Sequence, residues 1–158
     1  MPNAHARFDG IPYAEVVKTL DQILQEELAG VVRYTHYSFM VYGFNRIPIV
    51  KWLNDQANES LKHAQEAGEL LTTMGEHPSL SIGNLLESHK HDIGDILRES
   101  LEAESRGLEL YRKLLSLVED KNVLLEEYAR KLIVEEELHC GEVDKMIRKP
   151  GDSASVIK

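Results

Sequence analysis

The chain has 158 residues, 27 of them Asp or Glu against 18 Lys or Arg, for a net charge of −9; 42% are apolar and 28% charged. That is enough chain for one domain with a sizeable core, expected over residues 1–158. No run of about 18 apolar residues occurs, which excludes a membrane-spanning helix, and the acidic balance argues against a broad nucleic-acid surface. The single cysteine, Cys140, excludes an internal disulfide framework. It fits a reducing compartment, and Met1-Pro-Asn-Ala-His lacks the order of a secretory signal, so a cytoplasmic location is expected.

Breakers divide the chain into four long segments. Gly10-Ile-Pro12 precedes the first, from about Ala14 to Tyr42, with Leu20, Leu24, Val31, Tyr34 and Val41 on one stripe. Gly43 and Pro48 bracket a short connection to the second, which carries Ile49, Trp52, Ala67, Leu70 and Met74. A long irregular stretch from Gly75 leads to the third, from about Lys90 to Val118, with Ile93, Leu97, Leu108, Tyr111 and Leu115. The Glu119–Asn122 turn introduces the fourth, with Leu125, Leu132, Val143 and Met146, ending near Arg148 before Pro150-Gly151. Steps of three and four along every stripe predict helices, and none of the segments alternates as a strand does. Two short connections and one long one predict an all-α, antiparallel four-helix bundle over about 14–148, ferritin-like in topology. The long crossover falls between helices two and three, and residues 149–158 are expected to be a flexible tail.

Each stripe has a gap, and charged residues fill the gaps. Continuing the alternation gives Glu27 in helix one and Glu104 in helix three; helix four offers Glu136 and His139, three residues apart on one face. Helix two offers His63, with Glu59 and Ser60 both compatible with the seam. A buried carboxylate without a partner costs several kcal/mol or takes up a proton. Four at one level need positive charge, and the seam has no Lys or Arg there. Two divalent cations would balance four glutamates, and a carboxylate–imidazole donor set suits Fe, Mn or Zn better than Ca or Mg. A lone Glu-x-x-His pair is most often solvated, so the argument rests on joint placement. Tyr34, two turns after Glu27, is either core packing or a phenol serving the site as a one-electron donor. His36 falls off its stripe and is expected to face solvent or an interface, while His89 and His91 read as surface residues able to catch a stray metal. Cys140 reads as a small packed thiol. Val32, Phe39 and Leu28 form a second apolar surface on helix one, which suggests a subunit interface.

At these residues the chain resembles the bacterioferritin branch of the ferritin-like superfamily. Glu27-Leu28 with Tyr34 is similar to that family's first-helix motif, and Lys62-His63-Ala64 to its second. Leu97-Arg98 through Glu104 resembles the third, and Glu136-Glu137-Leu138-His139 the fourth. The resemblance implies a homo-oligomer built from dimers that oxidises Fe(II) with O2 or H2O2 at a buried di-iron centre, for iron storage or detoxification. Glu27, Glu59 and His63 would hold one iron and Glu104 and His139 the other, with Glu136 bridging. Mn or Zn could take the place of Fe; the alternative function is a di-metal oxidoreductase of Mn or Fe, such as a peroxide-removing or mini-ferritin-type protein without bulk iron storage. A bundle whose buried acids are merely paired is a third reading.

Three departures from the family pattern stand out. Ser60 occupies the position of the family's second-helix Glu, and Glu59, four residues before His63, is the neighbouring carboxylate. Leu61 replaces the Met that ligates haem, so no haem is expected there. Only 19 residues follow His139, and Pro150-Gly151 interrupts them, so the family's short fifth helix is not expected. A 12-subunit shell or a simple dimer is then open beside the 24-subunit cage.

Overall fold

The computed structural model describes residues 4–157; residues 1–3 and 158, the ends of the expected domain and tail, lie outside the described residues. After a short 3-10 turn at Ala4–Phe8 come four helices: α1 (Tyr13–Met40), α2 (Arg46–Thr73), α3 (Ile93–Val118) and α4 (Val123–Ile147). Their boundaries follow from local chemistry. α2 begins two residues before Pro48, because a first-turn proline lacks only an N–H that would have no helical partner there. It ends at Gly75, whose φ of +90° lets Glu76 N–H bond back to the Leu71 carbonyl at 2.9 Å. α3 starts three residues later than expected, where the Asp92 carboxylate accepts the Gly94 N–H at 3.0 Å. Asn122 caps α4 in the same way through Leu125 N–H.

The crossover, residues 74–92, climbs the length of α1. Tyr13 donates to the Met74 carbonyl at 2.7 Å, Ser79 N–H to Asp21 at 2.9 Å, and Gly83 N–H to the Gln25 carbonyl at 2.7 Å. Near its end, Ser88 N–H reaches Glu99 at 2.8 Å, and Glu99 also accepts from Tyr37. The crossover therefore delivers α3 to the far end of α1, and α3 returns antiparallel to it, with Tyr34 meeting Glu104 and Glu27 meeting Tyr111. α1 pairs with α2 and α3 with α4, which is the ferritin-like arrangement expected from loop lengths.

The interior has two apolar clusters. The larger joins Val16, Leu20 and Ile23 of α1 to Leu71, Leu114, Leu125 and Leu132; the smaller gathers Tyr34, Tyr37, Leu53, Ala57 and Ile96 at the other end. Most stripe residues are in one or the other, although Met146 proves exposed. Of the polar residues that filled the gaps, Glu27, His63, Glu104, Glu136 and His139 come together inside the bundle, whereas Glu59 does not join them.

The segment after α4 differs from expectation. It turns back, and the buried Asp144 carboxylate accepts from Ser155 Oγ at 3.0 Å, Val156 N–H at 2.7 Å and Ile157 N–H at 3.0 Å while pairing with Arg148. Those bonds tie down a stretch that composition alone reads as frayed. No described residue after Ile147 is helical.

Candidate metal centre

Glu27, His63, Glu104, Glu136 and His139 converge from all four helices. Two groups of mutually adjacent donor atoms form, Glu27–His63–Glu136 and Glu104–Glu136–His139, and Glu136 belongs to both. His63 Nδ1 lies 3.1 Å from Glu136 Oε1 and 3.5 Å from Glu27 Oε1, while His139 Nδ1 is 3.8 Å from both Glu104 Oε2 and Glu136 Oε2. Glu136 thus turns one oxygen toward each imidazole, because α4 carries Glu136 and His139 one turn apart on its buried face. Tyr34, fully buried, donates its phenol proton to Glu104, and its ring stands 6.5 Å from that of His139.

Glu59 sits elsewhere. It is exposed, and its carboxylate groups with His63 and Glu135; among the described residues no cluster joins it to Glu27 or Glu136. The physical reason is helical phase. Glu59 and His63 share one side of α2, but the inward position one residue on is taken by the buried Ser60. Two first-rank contacts escaped sequence reasoning. Glu135 accepts the Nε2 side of His63 at 3.0 Å, leaving Nδ1 for the interior. Tyr111 donates to Glu27 at 2.7 Å. Tyr111 was legible only as core, and Glu135 was masked by its neighbour Glu136 in an acidic run; an i−4 spacing from His139 was the available signal.

The electrostatics follow the crowding of carboxylates. Burial first, then the charge of Glu136, pushes the Glu104 carboxyl up to about 8. Burial likewise raises Glu27. For Glu136 burial acts upward, but the neighbouring imidazoles of His139 and His63 outweigh it and hold the carboxyl at about 2. Burial disfavours the His63 imidazolium, yet its bonds to Glu136 and Glu27 prevail and raise it to about 11. The metal-free centre therefore neutralises itself with protons where cations would do so equally well. Two buried atoms remain without partners, Glu136 Oε2 and His139 Nε2. Carboxylate oxygens and imidazole nitrogens facing one another across less than a hydrogen-bonding network suit a pair of divalent transition-metal ions.

The remaining sequence candidates separate. His36 Nε2 is 3.2 Å from Glu87, and His91 Nε2 is 3.4 Å from it, so these three form a small half-buried group beside the crossover. His89 is exposed at a left-handed turn with φ +58°. Cys140 is buried, and burial pushes its thiol up to about 12, which makes it an inert packed residue. Leu61 is 41% exposed on α2 and offers no metal-binding atom; Val32 and Phe39 are exposed on α1.

No match to a curated protein sequence was found. Among solved structures, the ferritin-like, diiron-carboxylate proteins from Bacillus anthracis str. Ames superpose with a TM-score of 0.80 at 19% identity, covering 85% of this chain and 96% of that one. Rhodobacter capsulatus bacterioferritin, described with a metal-free dinuclear site and haem iron, superposes at 0.75 with 21% identity, covering 85% of this chain and 84% of that one. At such identities the likeness establishes the fold. The sequence itself matches the ferritin-like domain over residues 17–150, and the chain belongs to that family.

Proposed function

We propose that this protein is a haem-free, bacterioferritin-like ferroxidase that oxidises Fe(II) for storage or detoxification. The observation that carries the reading is the shared Glu136, which links two carboxylate–histidine clusters inside one bundle. Glu27 and His63 would hold one iron, Glu104 and His139 the other, and Glu136 would bridge. Iron supplies the redox chemistry: two Fe(II) each give up one electron, together reducing one H2O2 to two hydroxide ions, with O2 the other candidate oxidant.

The chain's own groups prepare that event. His63 must release its Nδ1 proton to coordinate, while its Nε2–H stays on the ring and donates to the Glu135 carboxylate, which fixes the imidazole's orientation. Tyr34 holds its phenol proton toward Glu104 and is close enough to the centre to act as a one-electron donor. Leu61 offers no haem ligand, so the purified protein should lack a haem absorption band. The exposed Val32 and Phe39, two turns apart on α1, support assembly into a homodimer and then a shell, a state that light scattering measures.

Aerobic Fe(II) oxidation tests the central reading. Wild type should oxidise Fe(II) well above the buffer rate and the Glu27→Ala/Glu136→Ala variant should not; equal rates would remove it. A second reading, a di-metal oxidoreductase of Mn or Fe without bulk storage, is favoured by the replacement of a fourth inward carboxylate by Ser60. It predicts two metals per chain and no further iron uptake.

A further inference from the structure

Arg33 lies on α1 one residue before Tyr34, and it is buried to 6% exposure. Its Nε and Nη1 have no hydrogen-bond partner, and among the described residues no carboxylate pairs with it. A buried guanidinium without an acceptor is a costly arrangement unless something outside the chain supplies one. Arg33 lines a cavity of about 20 Å3 together with Ser60, the candidate ligands Glu27, Glu104 and Glu136, and Glu26, whose carboxylate is paired with Arg106 at 3.5 Å. Gly30 keeps it open: a Cβ there would come within 2.8 Å of Ser60 Oγ and 3.8 Å of Arg33 Nη2.

Charge counting points the same way. The two clusters that share Glu136 contain three carboxylates, Glu27, Glu104 and Glu136, while Glu59 and Glu135 form a separate group with His63. Two divalent ions with neutral histidines leave that centre at +1, and Arg33 brings it to +2. Where a fourth carboxylate would be needed, α2 presents the small hydroxyl of Ser60, 7% exposed, and α1 presents an arginine. A guanidinium beside an electron-poor metal pair is an arrangement for receiving an anion, since arginine binds planar oxyanions through directed N–H bonds.

We propose that Arg33, Ser60 and Gly30 form a receptor for a small exogenous carboxylate, formate or bicarbonate, which serves the metal pair as the fourth negative group. The charge argument rests on the di-metal reading, whereas the unpartnered arginine and the cavity stand without it. The volume limits the ligand. About 20 Å3 accepts little more than one water-sized group, so only the smallest planar carboxylates can place an oxygen there, and acetate should fit poorly.

The test uses the full-length protein with zinc chloride as the metal, a redox-silent probe. Calorimetric titrations run in chloride alone, then with formate, bicarbonate or acetate added, and 13C-labelled formate and bicarbonate are observed by NMR with metal-free and zinc-loaded protein. The second Zn(II) should bind at least tenfold more tightly with formate or bicarbonate than with chloride or acetate. The stronger of the two arms identifies the ligand. Arg33→Gln should abolish both the gain and the 13C line broadening, and Ser60→Glu, which tethers a carboxylate at the same place, should bind two Zn(II) without an anion effect. If either variant fails to fold, the wild-type anion comparison still decides. Equal zinc affinity in all four salts, with no specific 13C broadening, would overturn the receptor. Absence of zinc binding in every salt alongside Arg33-dependent 13C-formate broadening would sink the di-metal reading and leave the receptor standing.

Discussion

The two halves of the candidate centre use the same residue types and are built differently. On one side His63 is 2% exposed and held at both ring nitrogens: Nε2 by Glu135 at 3.0 Å, Nδ1 by Glu136 at 3.1 Å and Glu27 at 3.5 Å. On the other, His139 Nδ1 is 3.8 Å from each of its carboxylates, and its Nε2 has no partner. The first half is a preformed ion-paired cluster that must lose a proton to bind a cation. The second is looser, and Glu104 in it is held as a neutral acid bonded by Tyr34. A rigid half and an open half predict sequential filling, with the His63 side fixing the first metal and the His139 side completing the pair.

Removing what the halves share should have the largest effect. Glu136→Ala deletes a donor from both clusters, so wild type should bind two Zn(II) and the variant should lose at least the second, with about 100-fold weaker binding of the first. Thermal melts read this directly, because a ligand at 100 times its Kd stabilises the native state by about 2.7 kcal/mol. A variant whose melting temperature still rises with zinc as wild type does would show that Glu136 is not shared.

Metal-free stability separates the halves next. His63→Ala leaves Glu27, Glu135 and Glu136 without their common partner, and breaking a buried pair typically costs about 3–5 kcal/mol. His139→Ala removes contacts of 3.8 Å only and should cost clearly less. Urea unfolding of the two apo variants makes the comparison, and equal losses would erase the asymmetry. Glu135→Gln should have a smaller effect still. It keeps an acceptor near His63 Nε2 but lowers its basicity, weakening the first metal about tenfold while sparing the second.

What could be read from sequence stops at this asymmetry. The positions of Glu27, His63, Glu104, Glu136 and His139 were legible because each interrupts an apolar stripe at helical spacing, and burial on a stripe is a property of phase alone. Loop lengths carried the topology for the same reason: a long connection after α2 had to climb the bundle. Glu59 and Ser60 are one residue apart, 100° of helix, and the stripe through His63 tolerated either; only packing against Gly30 decides that the serine goes inside. Arg33 and Glu135 did not stand out because a charged residue beside a stripe reads as solvated until neighbouring helices close over it. Asp144 was misread for a related reason: Arg148 at i+4 reads as an ordinary surface pair, and the Val156 and Ile157 N–H groups that bury the carboxylate are backbone, which is the same at every residue.

Protonation offers a finer test of the two halves. His63 is raised from its usual 6.5 to about 11, so its contribution to the metal-free fold is full below about 6.5 and is lost as pH rises through about 11. Glu104 is raised from 4.5 to about 8, and the metal-free fold loses stability as pH rises across that interval and the buried acid ionises. Both signs make the apoprotein melt lower at pH 8 than at pH 6. Metal binding requires both groups deprotonated, so metal-induced stabilisation should grow over the same range. At pH 7, calorimetry in two buffers of different ionisation enthalpy should record net proton release on metal binding, with His63 contributing from one half and Glu104 from the other. Release of none would mean that the centre is not proton-filled.

The smallest effect is expected at Tyr34, and it bears on the open half alone. Tyr34→Phe keeps the ring between Tyr37 and Trp52, at 6.4 Å and 6.2 Å, and removes only the phenol that bonds Glu104. Loss of one such bond, with the acid still able to rotate toward His139, should change metal affinity no more than a few-fold, about 1 kcal/mol. The same change leaves the His63 half untouched, so the first metal should bind as in wild type. Rate is the discriminating readout. If the phenol donates an electron, rapid-freeze spectroscopy of wild type mixed with Fe(II) and oxidant should detect a tyrosyl signal that the variant lacks, with slower turnover. If Tyr34 is packing and hydrogen bonding alone, the signal is absent in both and Fe(II) oxidation proceeds at nearly equal rates. Either result assigns the buried phenol, because its position against Glu104 permits the two roles and the electron count distinguishes them.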